Sequence, residues 1–137
     1  MNVRPTIPAL FTALLLGTYS QAVAQPSQDD IDALYDCVDE TMKGLAMVKV
    51  WGDKFKGGDE AAAPFMMALL SLENNPRYAS STAKQGKDLQ EYMSARGDEH
   101  FAFETGYAVS VQSRADYRKR IERQAEKADA CFQKLPQ

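Results

Sequence analysis

An all-α fold, a four-helix up-down-up-down bundle whose first and last helices are joined by a disulfide, is predicted by three observations on this 137-residue chain. Apolar side chains recur every three or four residues and nowhere alternate, which is the period of an amphipathic helix. Helix-breaking residues cluster at Gly52, Gly57-Gly58, Asn74-Asn75-Pro76 and Gly97-Asp98, and so divide the chain into segments of helical length. The only two cysteines, Cys37 and Cys131, fall near the start of the first segment and the end of the last.

The amino-terminal residues carry an address rather than a fold. Met1 to Ala24 holds one charged side chain, Arg4, then an apolar run from Ala9 to Leu16, then Ala22-Val23-Ala24. A basic end, a short apolar centre and a small-x-small site are the layout of a secretory signal peptide. The chain therefore divides into a leader, 1–24, and a single helical-bundle domain, 25–137. Spanning a bilayer takes about 20 apolar residues. The leader run and Phe65 to Leu72 both fall short of that, so no transmembrane segment is expected. A soluble periplasmic protein is the reading, with full secretion as the alternative. An oxidising compartment favours a disulfide between Cys37 and Cys131. Neither cysteine belongs to a C-x-x-C pair, which removes a thioredoxin-like role.

The first helix starts at Ser27, a good N-cap, with Asp29, Asp30 and Asp32 in the first turns where carboxylates favour the positive helix end. Ile31, Leu34, Val38, Leu45 and Val48 make its stripe, and Gly52 sets an end near Trp51. The second helix runs from about Glu60 to Glu73, with Pro64 at its firm start. Phe65, Met66, Leu69, Leu70 and Leu72 nearly ring it, so it is expected to be the most buried element. The third spans Ser80 to Ala95, capped by Ser80 or Ser81, on a thin apolar side of Leu89, Tyr92 and Met93. The last runs from about Glu99 to Lys134 through Phe103, Tyr107, Val111, Tyr117, Ile121, Ala128, Cys131 and Leu135, with Ser113 as the candidate break. Gly106 within it points to close packing or a kink.

Bridging Cys37 to Cys131 requires the first and last helices to lie antiparallel, as in an up-and-down bundle. That arrangement sets Asp29, Asp30, Asp32, Asp36, Asp39 and Glu40 beside Arg114, Arg118, Lys119, Arg120, Arg123 and Lys127, an expected interhelical charge zipper. The formal net charge is −3 for the whole chain and one unit more acidic without Arg4. A mildly acidic domain argues against nucleic acid as a partner.

Catalytic chemistry has few residues to draw on. His100 is the only histidine, so a two-histidine metal site cannot form, and with both cysteines bridged a closed zinc site lacks ligands. There is no G-x-S-x-G elbow and no phosphate-binding or dinucleotide loop. His100 is expected to cap or line the start of the last helix, with Asp98, Glu99 and Glu104 nearby as solvated side chains. Four-helix periplasmic b-type cytochromes share the outline of this chain and ligate iron through Met and His; here Met47 and His100 would be the pair, although that family carries its histidine near the end of its last helix. The sequence therefore predicts no catalytic residues, no metal and no cofactor. The alternative is a carrier of haem b or another apolar ligand.

Binding is the function this composition favours. Val50 to Gly58 places Trp51 and Phe55 among Lys54, Lys56 and glycines, the make-up of an interface anchor. Arg77-Tyr78 after Pro76 has a similar make-up. Trp51, Lys54, Phe55, Lys56, Arg77 and Tyr78 are thus the candidate partner-binding residues; plugging of the bundle end by Trp51 and Phe55 is the structural alternative. The partner class is another exported or envelope protein, and the thin third helix is compatible with a homodimer. An inhibitor, an immunity protein against a cell-wall-degrading toxin, or a chaperone or adaptor in an export system is the expected kind of module; immunity proteins against type VI secretion amidases share the outline of leader, small size, helices and one bridge.

Overall fold

The computed structural model describes residues 25–55, 58–79, 86–111 and 113–136. The signal peptide expected over 1–24, the caps expected at Ser80 or Ser81, and Lys56 lie outside the described residues. The elements are α1 (Gln28–Phe55), a 3-10 turn (Asp59–Ala62), α2 (Ala63–Glu73), α3 (Gly86–Ser110) and α4 (Arg114–Gln133). One more helical turn covers 76–79, and no strand occurs among the described residues.

The start of α1 follows local chemistry. The Ser27 hydroxyl accepts from the Asp30 amide at 3.2 Å, and the Asp30 carboxylate accepts from the Ser27 amide at 3.0 Å. This is a reciprocal capping arrangement with aspartate in the third helical position. The Ser27 amide and then the Arg77 guanidinium hold the Asp30 carboxyl below its ordinary range. The far end differs from expectation, because α1 continues through Gly52 to Phe55. Trp51 and Phe55, one turn apart, both pack on Tyr117, with ring centroids 6.0 and 6.1 Å away. Burying those rings outweighs the roughly 1 kcal/mol that a glycine costs in a helix interior.

Side-chain pairs fix the directions. Cys37 and Cys131 form a disulfide across 94 residues. With Trp51 on Tyr117 at the opposite end, α1 and α4 are antiparallel. Tyr35 meets Tyr92 edge-on at 4.8 Å, Asp39 meets Arg96, and Lys49 lies 4.3 Å over the Phe101 ring, so α3 runs parallel to α1. Phe65 sits against Gly44 while Leu72 joins the cluster around Leu34, so α2 runs back along α1. A square ring of four helices would place α1 across from α3. Instead α1 packs most extensively on α3 and α4, and also on α2. Accordingly its buried positions spread around the helix after Gly44, to Ala46, Met47, Val48, Val50 and Trp51.

The boundary predicted between the last two helices moves. Gly97-Asp98 does not separate helices; α3 runs through it, pinned to α1 on either side by Arg96 and His100, which both bond Asp39. α3 ends at Ser110 instead, and Ser113 takes extended backbone, its hydroxyl accepting from the Asp116 amide to start α4 at Arg114. Lys54 of α1 closes the other side of that break by donating to the carbonyls of Ala108 and Val111 at the end of α3, the stabilising place for a cation. Gly106 is exposed with open space around it and marks no close packing.

The core has two lobes. One gathers Met47, Trp51, Phe65, Tyr117 and Ile121; the other gathers Leu34, Cys37, Val38, Leu72, Tyr78, Leu89 and Leu135.

Candidate partner-binding surface

The residues singled out as a binding loop are largely built into the fold. Trp51 is only 5% exposed and lies in α1. Phe55 is half-buried against Trp51 and Tyr117. Lys54 spends its ammonium on the end of α3. Arg77 pairs with Asp30 at 2.7 Å, tying 76–79 to the start of α1. Tyr78 is fully buried in the second core lobe, and burial pushes its hydroxyl upward. The premise of exposed aromatics on a loop is thus corrected: in the described residues these aromatics found buried surface to fill, and the cations beside them found acceptors.

Exposed apolar surface lies elsewhere. α2 was expected to be the most buried helix, yet only Phe65 and Leu72 are buried. Met66, Met67 and Leu70 are 49%, 63% and 46% exposed. The physical reason is geometric: a helix of 11 residues, apolar all round, rests on α1 and α4 along one side only. Phe103, Tyr107 and Val109 of α3 are exposed as well. The aromatic patch read from Tyr92, Phe101, Phe103 and Tyr107 splits, since Tyr92 and Phe101 are half-buried under Tyr35 and Lys49. Met66, Met67 and Leu70 were legible in the sequence as apolar residues with no polar side to the helix. What that pattern lacked was any sign of how much of the ring its neighbours would cover.

The charge zipper between α1 and α4 is not formed among the described residues. The acidic turns of α1 lie at the Cys131 end of α4, whereas Arg114 to Arg123 occupy the opposite end, beside Trp51 and Tyr117. The carboxylates pair with other elements. Asp39 takes Arg96 Nε at 2.5 Å and His100 Nε2 at 2.9 Å, and Arg96 also reaches Glu99 at 2.6 Å. Burial pushes the Asp39 carboxyl up, but the hydrogen bonds from Arg96 and His100 prevail and leave it below its ordinary range. Glu40 accepts from Gln124 of α4. Glu104, expected in solvent, is fully buried between Arg120 and Tyr117. His100 sits in the middle of α3 rather than at a helix start, and its hydrogen-bond neighbours among the described residues are Asp39 and Arg96.

This arrangement can hold helices together and can present apolar surface. Among the described residues no group of three or more His, Cys, Asp or Glu could hold a metal ion, and no helix is long and apolar enough to cross a membrane. No family model matches the chain, and comparison with curated proteins and with solved structures finds no match either.

Proposed function

We propose that this chain is a small exported helical module of up-and-down sense that binds another exported or envelope protein, in the manner of an inhibitor, an immunity protein or a secretion chaperone, and that it acts without catalysis in the periplasm after loss of residues 1–24. The observation that carries the binding role is the uncovered face of α2, where Met66, Met67 and Leu70 stand side by side in solvent. Contiguous exposed apolar side chains on a small domain mark interaction surfaces, and methionine adapts to a partner's shape. The disulfide is compatible with an oxidising compartment.

The haem reading has less in its favour. His100 Nε2 is engaged by Asp39, and Met47 lies 1% exposed inside a core lobe.

A photo-reactive residue at Met67 tests the proposal in the periplasm, with one at Glu126, exposed on α4, as control. A discrete cross-linked partner from position 67 only, lost on Met66→Asp/Leu70→Asp substitution, is the expected result. A self-cross-link would identify a homodimer. Equal, diffuse labelling from both positions would discard the assignment.

A further inference from the structure

A second site stands apart from the α2 face, at the corner where the end of α3 meets the start of α4. Tyr107, Asp116, Tyr117, Lys119, Arg120 and Arg123 line a cavity of about 330 Å³ there. Beneath it Glu104, with no exposed surface, accepts from Arg120 Nη2 at 2.6 Å, from Arg120 Nε at 3.3 Å and from the Tyr117 hydroxyl at 3.1 Å. Burial and the Glu104 carboxylate push the Tyr117 hydroxyl far up, so it stays a donor. Held this way, the Arg120 guanidinium stacks 4.0 Å from the Tyr107 ring centroid. One edge of the guanidinium is committed to Glu104; Nη1 has no partner among the described residues. Lys119 and Arg123, one helical turn apart, have none either. Glu104 neutralises Arg120, which leaves two uncompensated cations against one rim carboxylate, Asp116.

We infer that this corner is a binding site for a phosphate monoester, with its oxygens taken by Lys119, Arg123 and the free amino group of Arg120, and its organic part against Tyr107. A buried carboxylate that fixes an arginine under a concave surface preorganises the donor, so little order is lost on binding. A single carboxylate would be satisfied by one guanidinium fork; three cationic groups lining one cavity suit an anion with three oxygens and nearly two charges. The volume suits a small ligand or a headgroup. The phosphate could be borne by a soluble molecule or by a lipid, and the shared chemistry is the claim.

The test uses the processed chain with its disulfide intact. Backbone amide shifts are followed during titration with glycerol 3-phosphate, with chloride at matched ionic strength as control. Flotation with phosphatidylcholine vesicles, with and without phosphatidic acid, makes the second arm. Shifts confined to Tyr107 and 116–123, with affinity about tenfold weaker in Lys119→Gln/Arg123→Gln and tighter in Asp116→Asn, are the expected result. Binding in solution assigns a soluble source, and binding only to phosphatidic acid vesicles assigns a lipid one; each supports the site. Chloride shifting the same amides equally, or the double variant binding as well as the parent in both arms, overturns it. Lys119 and Arg123 are exposed, so the variant keeps its fold, which circular dichroism checks.

Discussion

Replacing glycine by alanine at three helical positions should give three different outcomes from one chemical change. At Gly44 an added Cβ would lie 2.0, 2.2 and 2.5 Å from three atoms of the Phe65 ring, about 1.4 Å short of ordinary contact at 3.4 Å for the nearest. Phe65 has no exposed surface, so its ring cannot swing into solvent. Either the ring takes a strained rotamer or α2 lifts off α1, opening space in a close-packed lobe. Overpacking of this kind costs about 1–3 kcal/mol, and more where relaxation is blocked. The opposing gain in helix propensity is about 1 kcal/mol. Steric overlap of this size wins, for a net loss of about 2 kcal/mol and a fall in Tm of about 10 °C for a domain this small. At Gly97 the new Cβ meets only Met42 Cε at 3.0 Å, the far end of a flexible side chain, and the change should be near neutral. At Gly106 nothing lies within 4 Å, and the variant should gain about 0.5–1 kcal/mol. Urea and thermal unfolding with the disulfide intact read all three. If Gly44→Ala proves as stable as Gly106→Ala, α2 does not rest on α1 through Phe65, and the uncovered face inferred for α2 loses its basis.

Four further outcomes can be checked with the same assays. Cys37→Ser/Cys131→Ser frees a loop of 94 residues in the unfolded chain and should cost about 4 kcal/mol; an unchanged urea midpoint would contradict the chain-entropy account. Glu104→Gln leaves Arg120 without its buried counter-charge and should cost about 3 kcal/mol, whereas Glu122→Gln, whose pair with Arg118 is exposed, should cost well under 1 kcal/mol; equal losses would place Glu104 in solvent. The Asp39 carboxyl is depressed in the folded protein, so its contribution is present above the unfolded value near 3.8 and is lost as pH falls through the lower folded value. Asp39→Asn should therefore flatten the acid limb of stability against pH below about 4, and an unaltered limb would show that Arg96 and His100 do not hold that carboxylate. Lys54→Met removes the cation from the last carbonyls of α3 and should cost about 1 kcal/mol, with faster amide exchange at 106–111 as the local sign.

Much of the fold was legible because it depends on interactions close in sequence or on covalent reach. Ser27 and Asp30 cap each other within one turn, the stripe of Leu34, Val38, Leu45 and Val48 follows the helical period, and Ser113 starts a helix wherever the chain places it. The bridge was legible because two cysteines leave one intramolecular pairing. The candidate binding residues were not. Large aromatics beside lysines read alike whether they anchor a partner or plug a core, since the difference is whether some distant residue, here Tyr117, stands ready to bury them. The charge zipper failed for a related reason: composition gives sign, but only helix register shows that the basic turns of α4 face the wrong end of α1.

By itself the sequence determined an all-helical chain, the capped start of α1 and the one bridge, and it offered Ser113 only as a candidate break inside a longer helix. The tertiary structure alone decided that α1 sits at the centre, that helix continues through Gly52 and Gly97, that Glu104 is buried while Met66, Met67 and Leu70 are not, and that Trp51 belongs to the core. Local propensity amounts to about 1 kcal/mol at such positions, while burial of a large side chain against a particular neighbour amounts to two or three times that. Where the two disagree, packing between residues far apart in the chain sets the outcome.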